Sequence, residues 1–457
     1  MLLAAALLTA CAPLRPADNG VQFWLTKADG SAKFARQPDL SAPASAPDAI
    51  ITVDETKRYQ SMEGFGFSLT GGSAMLIRKM SPAARAKLLK ELFSPDDGIG
   101  ISYLRISIGA SDLDERVFSY DDLPPGQADP NLESFSLAPD RANLIPILKE
   151  ILAVQPRLRL MATPWSAPAW MKDNGSPIGG SLRRELQASY AAYLVKYLQQ
   201  MKAEGIVIDA MTIQNEPLNP KNNPSMFMPA ASQTVFLRDY LGPALARARL
   251  PVNVLLYDHN ADRIDYPLEV LSDPAAARYA AGSAFHLYEG KVEDLAKVHD
   301  AHPDKDLYFT EQALIAPSDS GDLAWHMDTV VIGAPRNWCR TALEWNLASG
   351  PGETPHTDQG GCVGCLGAVS LDGDKVTRSA SYDLIAHASK FVRPGSLRIA
   401  SDEPEGFHDV AFRTPDGRYV LIAHNAGKEI RTVGVRQGGR TLSFPLDAGA
   451  VGTIVWR

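Results

Sequence analysis

Eight apolar runs of strand length recur along this chain, each followed by enough residues to hold a helix: 62–66, 103–108, 158–163, 210–214, 254–257, 283–287, 307–310 and 342–346. Neighbouring parallel strands need a crossover of that kind between them. The clearest intervening helix lies over 182–202, where Leu186, Tyr190, Tyr193, Leu194, Tyr197, Leu198 and Met201 recur on one face. Residues 82–93 and 142–154 carry a similar period. Strand and helix alternating eight times predict a closed (β/α)8 TIM barrel, an α/β fold. In that architecture the chemistry sits at the C-terminal ends of the strands.

Beyond residue 391 the texture changes. Short alternating segments at 396–399, 409–413, 419–424, 431–435, 441–444 and 452–456 are separated by Pro415-Asp416-Gly417, Asn425-Ala426-Gly427 and Gly438-Gly439 turns. Turns of this composition between alternating segments predict an antiparallel β-sandwich. The run at 50–53 is expected to pair into it, so that both chain ends build the side domain. The expected division is 48–63 for the first sandwich strands, 64–390 for the barrel and 391–457 for the rest of the sandwich. Residues 12–47 read as a tether with a first β segment at 21–25.

Residues 1–10 are apolar apart from Thr9 and run into Cys11. Leu8-Thr9-Ala10-Cys11 resembles a lipobox, so residues 1–11 read as a lipoprotein signal peptide with lipidation at Cys11. The alternative is an ordinary signal peptide in which Cys11 is incidental. Either reading implies export, to the periplasm, outer membrane or cell surface of a bacterium, with membrane contact only through the anchor. A net charge of -8 and a pI near 5.7 argue against nucleic acid or an anionic membrane as partner. Neutral polymers such as glucans remain compatible, and a monomer is expected. Among the other cysteines, Cys362 and Cys365 read as a zinc half-site, a redox pair or a short disulfide. The disulfide is favoured in an oxidising compartment, leaving Cys339 free unless it pairs with one of them.

The strand-end rule selects two carboxylates. The fourth run leads into Gln214-Asn215-Glu216-Pro217 and the seventh into Thr310-Glu311-Gln312. One rim Glu alone is most simply a surface charge; two, three strands apart, face each other across a barrel mouth. Such a pair suits glycoside cleavage by double displacement, with Glu311 attacking the anomeric carbon and Glu216 protonating the leaving oxygen. Burial and repulsion are expected to raise the pKa of the acid. The amide of Asn215 is placed to bind the sugar 2-hydroxyl. No metal or cofactor is expected.

Seven separated motifs stand in order: Gly64-Phe65-Gly66, Tyr103-Leu104-Arg105-Ile106-Ser107, the run from Thr163-Pro164-Trp165 to Trp170-Met171-Lys172, Gln214-Asn215-Glu216-Pro217, His286-Leu287-Tyr288, Thr310-Glu311 and Glu344-Trp345-Asn346-Leu347. On these the chain, from about Gly64 onward, resembles glycoside hydrolase family 30, the group of glucosylceramidases and bacterial β-1,6-glucanases. The resemblance implies a retaining, metal-free hydrolase with Glu216 as acid/base and Glu311 as nucleophile. It also implies that Asp112 grips the 4- and 6-hydroxyls of the glucose, that Trp165 and Trp345 line its subsite, that Tyr288 holds the nucleophile and that Arg105 keeps Glu311 ionised. His286 is counted with the substrate-binding residues, with a core histidine satisfying backbone groups as the alternative. His259 either faces a leaving-group subsite or anchors its loop. The Cys362–Cys365 loop and residues 219–228 are expected to shape the leaving-group side. The favoured substrate is β-1,6-glucan; the alternatives are glucosylceramide or another β-glucoside and, from another class, a non-catalytic glycan-binding lipoprotein.

Overall fold

The computed structural model describes residues 20–40, 46–318, 320–359 and 361–457. The signal segment and Cys11 lie outside the described residues. The strands are β1 (Val21–Thr26), β2 (Ala35–Leu40), β3 (Ala49–Ser61), β4 (Gly64–Ser68), β5 (Tyr103–Ile108), β6 (Arg159–Pro164), β7 (Ala210–Thr212), β8 (Asn253–Asn260), β9 (Ala280–His286), β10 (Asp306–Glu311), β11 (Cys339–Glu344), β12 (Ala348–Ser349), β13 (Val369–Asp372), β14 (Lys375–Arg378), β15 (Leu397–Ser401), β16 (Phe407–Arg413), β17 (Tyr419–Asn425), β18 (Arg431–Gln437), β19 (Arg440–Leu446) and β20 (Val451–Trp456).

Strands β4 to β11 close a parallel barrel in sequence order, β11 returning to pair with β4. Tyr103, Met161, Ala210, Leu255, Ala284, Tyr308 and Leu343, one from each of β5 to β11, form an apolar cluster of their own apart from the larger outer core. Large and small side chains mix in that layer, as a tapered interior requires. Gly66 is needed where β4 meets β5, because a Cβ there would fall 1.9 Å from the Tyr103 carbonyl oxygen. Helix Pro82–Phe93 begins on Ser81, whose hydroxyl accepts from Ala84 N–H, with Pro at the first helical position. Helix Gln187–Ala203 buries Tyr190, Tyr193, Leu194, Tyr197, Leu198 and Met201, the stripe its period predicts.

Both chain ends build the second domain. Its nine strands run in the order β19-β18-β3-β15-β16-β17-β20-β1-β2. Their inward side chains, among them Phe23, Ile51, Leu421, Phe444 and Trp456, enclose a separate sandwich core. β3 leads almost directly into β4, and only seven residues separate helix Ala380–Ser389 from the start of β15 at Leu397. The side domain is thereby held beside the barrel through short connections. Among the described residues no helix is long and apolar enough to cross a membrane.

Candidate active site

Glu311 is the last residue of β10, and Glu216 follows β7 by four residues. The fourth strand ends at Thr212, two residues before its predicted end, because the chain turns there across its neighbours. Asn215 N–H donates to the Pro164 carbonyl at 2.8 Å and Glu216 N–H to the Asp258 carbonyl at 2.9 Å. Glu216 adopts a left-handed backbone (φ 43°), as do Tyr257 (69°), Asp258 (70°) and Asn346 (71°). Non-glycine residues in that region cost about 1–3 kcal/mol each and cluster at functional sites. Glu216 and Asn346 lie just past the C-terminal ends of β7 and β11, and Tyr257 and Asp258 within the last four residues of β8.

Arg105, on β5 and fully buried, organises the floor of the mouth. Nη1 donates to Glu311 Oε2 at 2.6 Å, while Nη2 donates to Asn215 Oδ1 at 2.6 Å and to Asp258 Oδ2 at 2.9 Å. One guanidinium thus fixes residues from three other strand ends. Since Asn215 offers its carbonyl to Arg105, its NH2 is the end left for a substrate hydroxyl. Tyr288 OH donates to the other oxygen of Glu311 at 3.0 Å.

His286 is not a core histidine serving backbone groups. Its Nε2 donates to Asp258 Oδ1 at 3.1 Å, and its Nδ1 stands 3.4 Å from Glu216 Oε1 and 3.7 Å from Glu311 Oε1. Burial disfavours its charge, but Glu311, Asp258 and Glu216 outweigh that and raise its pKa to about 10. The consequence for Glu216 reverses the expectation of a raised acid. Burial alone would raise it, yet the His286 cation, His259 and the Asn219 amide hold it down to about 2. Glu311 is raised, burial outweighing the pull of His286 and Arg105. These three groups titrate as one unit. The proton expected on Glu216 rests on His286, its hydrogen-bonding neighbour.

Asp112 stands near both carboxylates, and Trp165 and Trp345 pack in one cluster with its neighbour Leu113. The two indoles stack with centroids 5.6 Å apart, and Arg105 lies 4.8 Å over Trp165. Asp112 is raised to about 7 by burial first, then by the charges of Glu311 and Glu216. Cys362 and Cys365 are joined in a disulfide, and Cys339 is free and buried. The disulfide loop stands against residues expected to hold the glucose: Cys362 N–H donates to Asp112 Oδ2 at 3.1 Å, and Cys365 packs with Trp165 and Trp345. The loop starting at Asn219 does meet Glu216, through Asn219 Nδ2 at 2.8 Å.

Two residues escaped sequence reasoning. Asp258 takes hydrogen bonds from Arg105, Thr212, Thr310 and His286 with no exposure, and the Arg105 and His286 cations hold its carboxyl far below the usual range despite burial. It stands at the end of the fifth strand, where the strand-end rule already pointed, beside the more conspicuous His259. Asn219 is the first residue of the loop 219–228 expected on the leaving-group side, but nothing in the sequence marks its side chain as the partner of Glu216. Glu216, His286 and Glu311 bring ligand atoms within 4.8 Å of one another, the one such group among the described residues. A protonated His286 has no lone pair for a cation, and both Glu311 oxygens already accept from Arg105 and Tyr288, so this donor set suits charge holding better than metal ligation.

Comparison with known proteins agrees with this geometry. The family model of the glycosyl hydrolase family 30 TIM-barrel domain matches residues 62–391, and that of the family's beta sandwich domain matches 395–454. An endo-1,6-beta-D-glucanase of Aspergillus fumigatus is 32% identical over 442 residues, covering 90% of this chain and 89% of the relative. The lysosomal acid glucosylceramidase of Mus musculus is 29% identical over 433 residues, covering 87% and 82%. A solved endo-beta1,6-glucanase superposes with a TM-score of 0.89 at 34% identity, over 96% of this chain and 99% of that one. By its domains and by relatives spanning nearly its whole length, the chain belongs to glycosyl hydrolase family 30.

Proposed function

We propose that the chain hydrolyses β-1,6-linked glucan by retaining double displacement, with Glu311 as nucleophile and Glu216 as acid/base. One observation carries the reading: oxygens of Glu216 and Glu311 come within 4.8 Å across the mouth. Retaining enzymes hold the carboxyl groups about 5–5.5 Å apart, whereas inverting ones leave about 6.5–9.5 Å for a water.

Glu311, steadied by Arg105 and Tyr288, attacks the anomeric carbon. The proton passes from His286 to Glu216, 3.4 Å away, and on to the leaving oxygen, which leaves His286 neutral and Glu216 a carboxylate. Once Glu311 is esterified its charge is gone, and Glu216 as carboxylate takes the proton of an incoming water. The glucose lies between the two indoles and Asp112, with the NH2 of Asn215 near its 2-hydroxyl. The relatives named as β-1,6-glucanases support the linkage. Lipid anchoring at Cys11 belongs to the same proposal and rests on the sequence alone; Cys11→Ala should move the protein from the membrane to the soluble fraction.

The test is product analysis of protein lacking residues 1–20 on β-1,6-glucan, β-1,3-glucan, glucosylceramide, glucuronoxylan and aryl β-glucosides. Release of β-1,6-linked oligosaccharides or glucose from the first substrate is expected. Turnover of glucosylceramide or aryl glucosides without β-1,6-glucan would move the substrate and keep the two carboxylates. No turnover by folded protein would return the chain to a glycan-binding role.

A further inference from the structure

A cavity of about 1060 Å3 lies far from the two carboxylates, between the bottom of the barrel and the side domain. Ser102, Arg159 and Asp209, at the N-terminal ends of β5, β6 and β7, form its barrel side, whereas the chemistry sits at the other ends of those strands. Five basic and three acidic side chains line it, on a chain whose net charge is -8. Two of the basic groups are taken: Arg159 pairs with Glu63 at 3.2 Å, and Lys390 Nζ donates to the Gly98 carbonyl at 2.8 Å. The other three are arginines from separate parts of the chain. Arg157 precedes β6, Arg393 lies between helix Ala380–Ser389 and β15, and Arg418 stands in the turn between β16 and β17.

Arg393 is built into its place. Its Nη1 donates to the carbonyls of Gly100 and Ser389, both at 3.1 Å, and its Nη2 to that of Pro95. Gly100 has a left-handed backbone (φ 67°), and a Cβ there would fall 2.0 Å from Nη1. Of the five guanidinium donors, Nε–H and one N–H of Nη2 are left over. Among the described residues no carboxylate stands within ion-pair distance of Arg393 or Arg157. Burial first, and then repulsion from Arg418 and Arg157 against the pull of Asp96 and Asp416, hold the Arg393 pKa down to about 10. Arg418 gives only its Nε to Asp416, at 2.7 Å, which leaves both of its Nη groups for another partner.

Guanidinium groups gathered in this way repel one another unless an anion lies among them. One planar fork satisfies a carboxylate, whereas a phosphoryl group offers three strong acceptor oxygens. We infer that this cavity is a binding site for a phosphate-class oxyanion, held by Arg157, Arg393 and Arg418. Pockets of about 300–1,000 Å3 take small organic ligands, so the space admits a phosphate monoester as well as the free ion. A bound anion ties the barrel, the connecting segment and the side domain together, because one arginine comes from each.

The experiment is calorimetric titration of the full chain with inorganic phosphate, glycerol 3-phosphate and, as the uncharged control, glycerol, at an ionic strength fixed with chloride. Both phosphates are expected to bind saturably and to raise the melting temperature with concentration, and glycerol to do neither. Arg157→Ala combined with Arg418→Ala should weaken both by about tenfold for each arginine lost, the worth of a charge-assisted hydrogen bond. Arg436→Ala, at an exposed position on β18, should bind as the wild type does. Arg157→Gln, at an exposed site, serves alone if the double variant does not fold. Tighter binding of glycerol 3-phosphate than of phosphate assigns the site to a monoester and the reverse order to the free ion, and either supports the inference. No saturable binding of either phosphate, or equal affinity in the wild type and the variants at Arg157 and Arg418, overturns it.

Discussion

Arg105 Nη1 lies 2.6 Å from Glu311 Oε2, with the guanidinium fully buried. A charge-assisted hydrogen bond this short favours the ionised carboxylate and fixes its orientation. The same guanidinium reaches Asn215 and Asp258, so one side chain sets both the nucleophile and the amide beside the acid. Glu311→Ala should abolish turnover, by more than about 10⁴-fold as for loss of other covalent nucleophiles. Azide should then restore cleavage of an activated aryl glucoside and give the glycosyl azide of opposite anomeric configuration. Activity near wild type would remove Glu311 from the nucleophile role.

Arg105→Lys keeps the charge and loses the planar fork. A lysine cannot reach Glu311, Asn215 and Asp258 together, so kcat should fall by roughly 10²-fold, about 2.7 kcal/mol. Arg105→Ala removes one of the two cations that hold buried Asp258 and should destabilise by about 3–5 kcal/mol, read as a lowered denaturant midpoint. Full activity in Arg105→Lys would show that positive charge alone suffices.

Glu216→Gln should slow substrates with poor leaving groups by about 10²–10⁴-fold and dinitrophenyl glucoside far less, because that leaving group needs no proton. If the proton is drawn from His286, then His286→Gln should share this leaving-group dependence. The variant should also let the pKa of Glu216 rise, since the His286 cation is the chief influence holding it down. Carbon-13 NMR of labelled glutamate reads that shift. A loss equal for all leaving groups would make His286 a structural residue only.

Much of this site was legible because two periodicities and one rule sufficed. Apolar runs separated by crossovers placed eight strands, and their ends pointed at Glu216 and Glu311. The rest depended on contacts that spacing does not encode. Asp258 looks like any polar residue after an apolar run, and its weight comes from Arg105 and His286, which are 153 and 28 residues away. The pKa order of Glu216 and Glu311 depends on a histidine wedged between them, which reverses an expectation drawn from burial alone. The contact of the disulfide loop with Asp112 and the Trp165–Trp345 pair is likewise set by packing and not by spacing.

That loop has a consequence for binding. The Cys362 N–H is one of the groups that hold Asp112, and the disulfide fixes the turn that presents it. Reduction, or Cys362→Ser with Cys365→Ser, should raise KM for β-glucosides by roughly fivefold, the worth of about one hydrogen bond of 1 kcal/mol, and leave kcat comparatively intact. A collapse of kcat with unchanged KM would place the effect at the carboxylates instead.

Asp112 supplies a titration in the working pH range. Its carboxyl is raised from an ordinary 3.8 to about 7, by burial first and then by Glu311 and Glu216. The folded protein therefore binds this proton more tightly than the unfolded chain does. Its contribution to stability is present in full below about 4 and is lost as pH rises from there through 7. For substrate the sign is opposite: the carboxylate that forms above 7 is the stronger acceptor for two sugar hydroxyls. KM for a β-glucoside should fall as pH rises through about 7, and Asp112→Asn should flatten that dependence. In Glu311→Ala the Asp112 titration, followed by carbon-13 NMR, should move toward its ordinary value because one repelling charge is gone. A KM that stays level across this range in the wild type, or an Asp112 titration unmoved by Glu311→Ala, would separate Asp112 from the charge cluster.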